Sequence, residues 1–450
     1  MTNDMGDYCF MPPDGFSSLL FDSSRLSVAS KTELLDKHFL FEYDRELFVN
    51  DAREKLRSYK SYLFSPTALH IFVVTGACNQ NCVYCQAGAS SSKNKRMSVE
   101  TARKAVDLAL DISAGQELVT FEFQGGEPLL NFPAVRAITE YAESIRGDLR
   151  INYCLVSNLT LLSDEIAAFF KLHNFNVAVS LDGGEALHNA NRPFKGGSSF
   201  QMARDNAYKL RRLGVQISAI QTTTRRSLGS AQDIVDAYTA MGFSDLFIRP
   251  LTKLGYAKTQ WDGIGYTAAE FMGFFNEILR LIIEKNKHGV FFRESHSSML
   301  LRKIIKKEPI NYMELRSPCG AVTGQLAYNY DGSVYTCDEG RMLGEMGRAD
   351  FCLGHVSSLS ASAIYNAPAC LAVCAASCLE SLPLCSDCAY QPYCGVCPVI
   401  NISEHGNLYA NSVTDFRCEI YTGMMDTLFS FIHAGDPETM NVFNTWIEGA

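Results

Sequence analysis

At 450 residues the chain is longer than one hydrophobic core comfortably serves, so two or three domains are expected. Its 47% hydrophobic and 20% charged residues are those of an ordinary globular protein, and a net charge of −9 argues against nucleic acid as a partner. No apolar run is long enough to span a bilayer, and the opening "MTNDMGDYCFMPPDG" lacks the basic and apolar parts of a signal peptide. The expectation is a soluble cytoplasmic protein with no membrane partner.

Residues 1–67 have weak, mixed periodicity and read as an N-terminal region. From 68 to about 250, short apolar runs alternate with amphipathic stretches. The runs are "LHIFVVT", "LVTFEF", "INYCLV", "NVAVSL", "QISAIQ" and "LFIRP". Between them lie helical patterns such as "SVETARKAVDLAL" and "SDEIAAFFKL", with Ser98 and Ser163 as N-caps. Near-continuous apolar strands alternating with helices predict an α/β fold with a parallel sheet, either open or a partial barrel of six βα units. The reactive face then lies at the C-terminal strand ends. A helical bridge is predicted over 256–318. From 319 the composition turns cysteine-rich, with "GQLAYNYDGSVYTC" signalling a hairpin around Asp331-Gly332 and "EIYTGMMDTLFSFIH" an amphipathic close.

Sixteen cysteines in a reducing compartment point to metal or redox chemistry rather than disulfides. Three of them, in "CNQNCVYC", follow the first strand as Cys78, Cys82 and Cys85. Three thiolates can hold three corners of a [4Fe–4S] cluster and leave one iron open to an outside ligand. A zinc knuckle, or scattered buried thiols, is the competing reading. Seven more, Cys319, Cys337, Cys385, Cys388, Cys394, Cys397 and Cys418, are too many for one mononuclear site and nearly enough for two four-iron clusters. A zinc ribbon competes here, since Cys-x₂-Cys pairs often bind zinc.

The motif "CNQNCVYC" closely resembles the cluster motif of radical S-adenosylmethionine (SAM) enzymes, and the resemblance covers most of the chain. It implies a partial (βα)₆ barrel over residues 68–255. Cys78, Cys82 and Cys85 would hold a [4Fe–4S] cluster whose fourth iron is chelated by SAM, with Tyr84 beside the adenine. The same resemblance assigns Gly125, Gly126, Glu127 and Pro128 to the methionine amine. Ser157, Asn158, Ser180 and Asp182 become ribose or carboxylate contacts, and Arg249 would face the site. Read one at a time, these residues are equally a turn or helix caps. The fifth strand, "ISAIQTTT", carries no glycine motif for the adenine.

Residues 319–450 look like a SPASM domain with two auxiliary [4Fe–4S] clusters. Carried over by position, Cys385, Cys388, Cys394 and Cys418 hold one; Cys319, Cys337 and Cys397 hold the other, with Cys378 the candidate to close it. The run departs from the usual pattern, with two residues instead of three between Cys394 and Cys397. Cys370 and Cys374, at helical steps from Cys378, read as an apolar stripe, and Cys9, Cys154 and Cys352 as buried thiols. In related sulfatase-maturating enzymes an aspartate at the position of Asp338 is the base; a charged hairpin exit is the alternative. The resemblance is strongest to maturases of His-Xaa-Ser peptide systems. The expected activity is hydrogen abstraction from a ribosomally made precursor peptide, giving an oxidation or crosslink. An external electron donor such as flavodoxin or ferredoxin would be needed, and the N-terminal region is a candidate leader-peptide dock. The rival readings are a sulfatase-type maturase forming formylglycine and a zinc-binding scaffold.

Overall fold

A computed structural model describes residues 1–92, 94–409 and 415–449. The first five apolar runs form β1 (Leu69–Thr75), β2 (Leu118–Gly125), β3 (Arg150–Ser157), β4 (Asn176–Ser180) and β5 (Gln216–Thr222). Each pairs in parallel with the next. The sixth run divides instead into β6 (Asp245–Leu246) and β7 (Ile248–Arg249). β7 continues the sheet beside β5, whereas β6 pairs with β8 (Arg293–Glu294). Buried Glu294 stabilises that split: its carboxylate accepts from the N–H of Ile248 at 3.4 Å and from the N–H groups of His296 and Ser297, which open the helix Ser295–Lys306.

Helices Val99–Ile112, Phe132–Ile145, Asp164–Leu172, Ser199–Arg212 and Ala231–Ala240 connect the strands. Ser98 and Ser163 cap two of them as predicted, accepting from the N–H groups of Thr101 and Ile166 at 3.0 and 3.1 Å. The predicted helical bridge includes Ala268–Lys287 and Ser295–Lys306, interrupted by β8.

The predicted hairpin is present as β9 (Gln325–Tyr328) and β10 (Ser333–Tyr335), followed by β11 (Cys352–His355). Its turn uses Gly332 at φ +88°, and the Asp331 carboxylate accepts from the Ser333 N–H at 3.0 Å. β9 pairs in parallel with β1, so one sheet of order β11-β10-β9-β1-β2-β3-β4-β5-β7 crosses the boundary expected near residue 319. The fold is therefore α/β, built on a mostly parallel sheet with a cysteine-rich C-terminal region.

That junction is packed by aromatic rings. Phe72 of β1 is fully buried, stacked on Tyr328 of β9 at 5.0 Å and tilted against Phe121 of β2 at 4.9 Å. Replacing Phe72 by Ala removes the ring that bridges both halves of the sheet. The expected cost is ~3–5 kcal/mol, read as a lowered urea midpoint; an unchanged midpoint would contradict this packing.

Candidate functional site

Side chains alternate along the strands, and one face of each turns to a cavity of about 510 Å³. On β2 the buried Phe121 and Phe123 face the helices, while Glu122 and Gln124 face the cavity. On β4, Val177 and Val179 alternate in the same way with Ala178 and Ser180. Cys78, Cys82 and Cys85 line this cavity from the loop after β1.

That loop rests on the end of β2 with almost no space between them. The Gly126 N–H donates to the Thr75 carbonyl at 2.9 Å, and the Glu127 N–H to the Ala77 carbonyl at 2.8 Å. A Cβ on Gly126 would sit 2.0 Å from the Ala77 oxygen, and one on Gly125 (φ +144°) 2.3 Å from the Thr75 oxygen. Only glycine allows this approach. Asn158, at the end of β3, adds a side-chain bond to Asn79 in the loop at 3.0 Å.

Glu127 is buried. Its carboxylate accepts from Ser157 Oγ at 2.8 Å and from the N–H groups of Asn158 and Leu129 at 2.9 and 3.1 Å. Burial outweighs these bonds and pushes its pKa up to about 7. Gly125, Gly126, Ser157, Asn158 and Ser180 all border the cavity, as does Arg249. Pro128 does not: it opens the turn Pro128–Asn131 on the protein side.

Burial favours the neutral form of two of the three loop thiols. Burial pushes Cys78 far up, with the Glu127 charge adding to the effect, and holds Cys82 at about 12 while Arg192 opposes the rise. Backbone N–H groups of Gln80 and Ala89 donate to the Cys78 and Cys85 sulfurs, each at 3.4 Å. Thiols in such a setting ionise when a metal binds them. Three thiols on one short loop, with amide donors on two of the sulfurs, suit an iron–sulfur cluster.

Asp182 has a different place from that expected. It is fully buried and does not reach the cavity; its carboxylate accepts from Tyr84 Oη at 2.8 and 3.0 Å and from Arg192 at 3.1 Å. Asp182 thus holds the cavity-lining Tyr84 and Arg192, whose guanidinium lies 5.3 Å from the Tyr84 ring centre. Arg192 was not anticipated from sequence, because it follows a short helix, Glu185–Asn191, with no motif to mark it. Its Nε is buried without a partner.

The same cavity is also bordered by Cys319, Cys337 and Cys397. Cys337 caps the helix Asp338–Glu345, its sulfur accepting from the Gly340 N–H at 3.2 Å. Asp338 also lines the cavity and is paired with buried Arg341, accepting from Nε and a terminal nitrogen at 3.0 and 2.7 Å. Neighbouring Glu339, unmarked in the sequence reading, is raised by burial and by the Asp338 charge. Cys385, Cys388, Cys394 and Cys418 gather instead around a smaller cavity of about 50 Å³, which Cys397 borders as well. Cys378 lines neither; its thiol donates to Glu380 at 3.3 Å. The helix carrying Cys374 lies closer: Ser377 Oγ accepts from the Cys319 N–H at 2.8 Å, and the Cys374 charge acts on Cys319. Cys9 is buried as expected, while Cys154 and Cys352 are half-buried and Cys154 borders the large cavity.

Residues 72–226 match the sequence profile of the Radical SAM superfamily. The chain carries a radical SAM domain. Its sequence is 29% identical over 201 residues to the serine-type anaerobic sulfatase-maturating enzyme of Klebsiella aerogenes, covering 43% of this chain and 49% of that one. The chain spans 60%, 49% and 66% of the lengths of three curated relatives that it matches. Native anSMEcpe, with bound AdoMet and the Kp18Cys peptide, superposes with a TM-score of 0.69 over 84% of this chain and 99% of that one at 19% identity. Streptococcus suis SuiB bound to precursor peptide SuiA superposes with a TM-score of 0.57 over 91% and 94% at 13% identity. Both structures share the fold.

The Glu127 environment predicts a titration. Its folded-state pKa is raised from 4.5, so it favours the fold below that value and this contribution is lost as pH rises through about 7. In ligand-free protein, the infrared carboxyl band that disappears in Glu127→Gln should titrate with a midpoint near 7. A midpoint in the ordinary glutamate range would refute the burial argument.

Proposed function

We propose that this protein is a radical SAM maturase that abstracts hydrogen from a side chain of a ribosomally made precursor peptide, leaving an oxidation or crosslink of the His-Xaa-Ser type. One observation supports the reading: Cys78, Cys82 and Cys85 line the same cavity as Cys319, Cys337, Cys397 and Asp338. A [4Fe–4S] cluster held by Cys78, Cys82 and Cys85 would supply reductive cleavage of SAM and so the hydrogen-abstracting chemistry, and auxiliary clusters held by the C-terminal cysteines would supply electron transfer.

Cys78, Cys82 and Cys85 would hold the first cluster. The Gly125-Gly126 backbone, Glu127, Ser157, Asn158 and Ser180 would hold SAM, with Tyr84 placed against it by Asp182. Cys319, Cys337 and Cys397 would hold one auxiliary cluster and Cys385, Cys388, Cys394 and Cys418 the other. Asp338 is the candidate base. Arg341 holds Asp338 by Oδ1 alone, so Oδ2 is the oxygen positioned to take a substrate proton. Arg249, which borders the same cavity, would join the residues that hold SAM, and flavodoxin or ferredoxin would supply electrons. The described residues include no helix long and apolar enough to cross a membrane.

A second reading, formylglycine formation in a sulfatase, is favoured by the serine-type sulfatase-maturating relative and by cysteine-type enzymes such as that of Clostridium perfringens, 26% identical over 291 residues. Co-expression with a candidate precursor, followed by fragmentation mass spectrometry, tests the first. Labelling by an aldehyde-reactive hydrazide, without a crosslink, would establish the second. A colourless, anaerobically purified protein holding zinc but no iron would overturn both.

Cys82→Ala should reduce SAM cleavage to background while leaving iron in the C-terminal sets. Retained cleavage, measured as 5′-deoxyadenosine, would contradict the assignment.

A further inference from the structure

Lys303 lies in the last turn of the helix Ser295–Lys306 and is 2% exposed. Its ammonium donates to the Leu315 carbonyl and lies 5.6 Å from the centre of the Tyr59 ring. Tyr59 Oη in turn donates to the Pro392 carbonyl at 2.8 Å, which sets Lys303 beside the turn Gln391–Tyr393 leading into Cys394. Among the described residues no carboxylate comes within ion-pair distance of Lys303.

Burying an unpaired ammonium costs several kcal/mol. The other charges acting on Lys303 do not offset this. Lys60 and Arg316 are cations, and Glu380 is already bound to Lys60 and to Ser317 Oγ. Burial pushes the Lys303 ammonium down to about 7, and Cys394 is the largest influence in the other direction. The contacts run from Lys303 through Tyr59 and Pro392 to the turn before Cys394, so a cluster held by that cysteine would supply the missing anionic charge.

We propose that Lys303 is a positioning residue for the auxiliary cluster of Cys385, Cys388, Cys394 and Cys418, whose thiolates supply its counter-charge and whose reduction its ammonium favours. The proposal rests on the cluster assignment under Proposed function. A fixed cation beside a cluster stabilises the state with one more electron, so removing it makes reduction harder.

The test uses full-length, anaerobically reconstituted protein carrying alanine at Cys78, Cys82 and Cys85, so that only C-terminal clusters report. Cys388→Ala identifies which spectral component belongs to the four-cysteine set. Lys303→Gln keeps a donor for the Leu315 carbonyl but loses the charge, and Lys303→Arg keeps the charge. Potentiometric titration followed by electron paramagnetic resonance should show the Cys388-dependent component shifted to more negative potential in Lys303→Gln. The expected change in its reduction equilibrium is about tenfold, or ~59 mV for one electron, with Lys303→Arg close to the parent. An unshifted component, a shift confined to the other cluster, or equal shifts in both variants would overturn the proposal. Should Lys303→Gln fail to fold, a Lys303→Met variant in the same background decides by the same readings. Absence of C-terminal iron in the parent would instead overturn the cluster assignment itself, so the two failures are distinct.

Discussion

Backbone contact between residues 75–77 and 125–127 is the constraint from which the site follows. β1 and β2 run in register from Leu69↔Thr120 to Val73↔Gln124, then slip so that Thr75 meets Gly125. The slip brings the two strand ends together, where amide-to-carbonyl bonds replace side-chain packing. With no Cβ on Gly125 or Gly126, the cysteine loop can lie directly on β2. Cys78 is thereby set within electrostatic reach of Glu127, and Asn79 within hydrogen-bonding reach of Asn158. A larger residue at either glycine would lift the whole loop, and with it three thiols at once.

The second constraint is that three of the charged pairs in and beside the cavity wall are taken largely out of solvent. Arg192 is matched by Asp182, Asp338 by Arg341, and Glu314 by Arg417. Burial alone would raise Glu314, yet Arg417 and Arg249 hold it down to about 2. Removing one partner of such a pair leaves an uncompensated charge, at ~3–5 kcal/mol. These pairs therefore fix the side chains in place, including Asp182, which serves the site by orienting Tyr84 and Arg192 without lining the cavity.

The alternation of strands with helices and the Ser98 and Ser163 caps were legible in the sequence because both rest on local pattern: apolar runs of the right length, and a hydroxyl three residues before the amide that it caps. Spacing and family resemblance marked out the cysteines that line the two cavities. Other features depend on contacts between distant segments. β9 joins β1 across more than two hundred residues, and nothing in either strand marks the other as its partner. Glu122 and Gln124 lie within an apparently apolar run, and only the pleat reveals that they face inward. The "LFIRP" run divides because a carboxylate, Glu294, arrives from another element. Cys378 shares a helical spacing with Cys374, but the chain leaves the helix at Ser377, so its thiol turns to Glu380 rather than toward Cys319.

The short interval between Cys394 and Cys397 gains a physical account from the same packing. A Cβ on Gly395 would lie 2.8 Å from the Arg316 carbonyl and 2.9 Å from that of Glu314, so this backbone sits flush against residues 314–316. Gly395 and Cys394 line the small cavity, and Glu314 lines the large one. A chain pressed this closely against its neighbour needs few residues between the two cysteines. Cys397 emerges bordering both cavities, with Arg417 acting on its thiol while bound to Glu314. The departure in spacing thus places one sulfur between the two sets, where the distance between them is set by backbone packing rather than by a flexible loop.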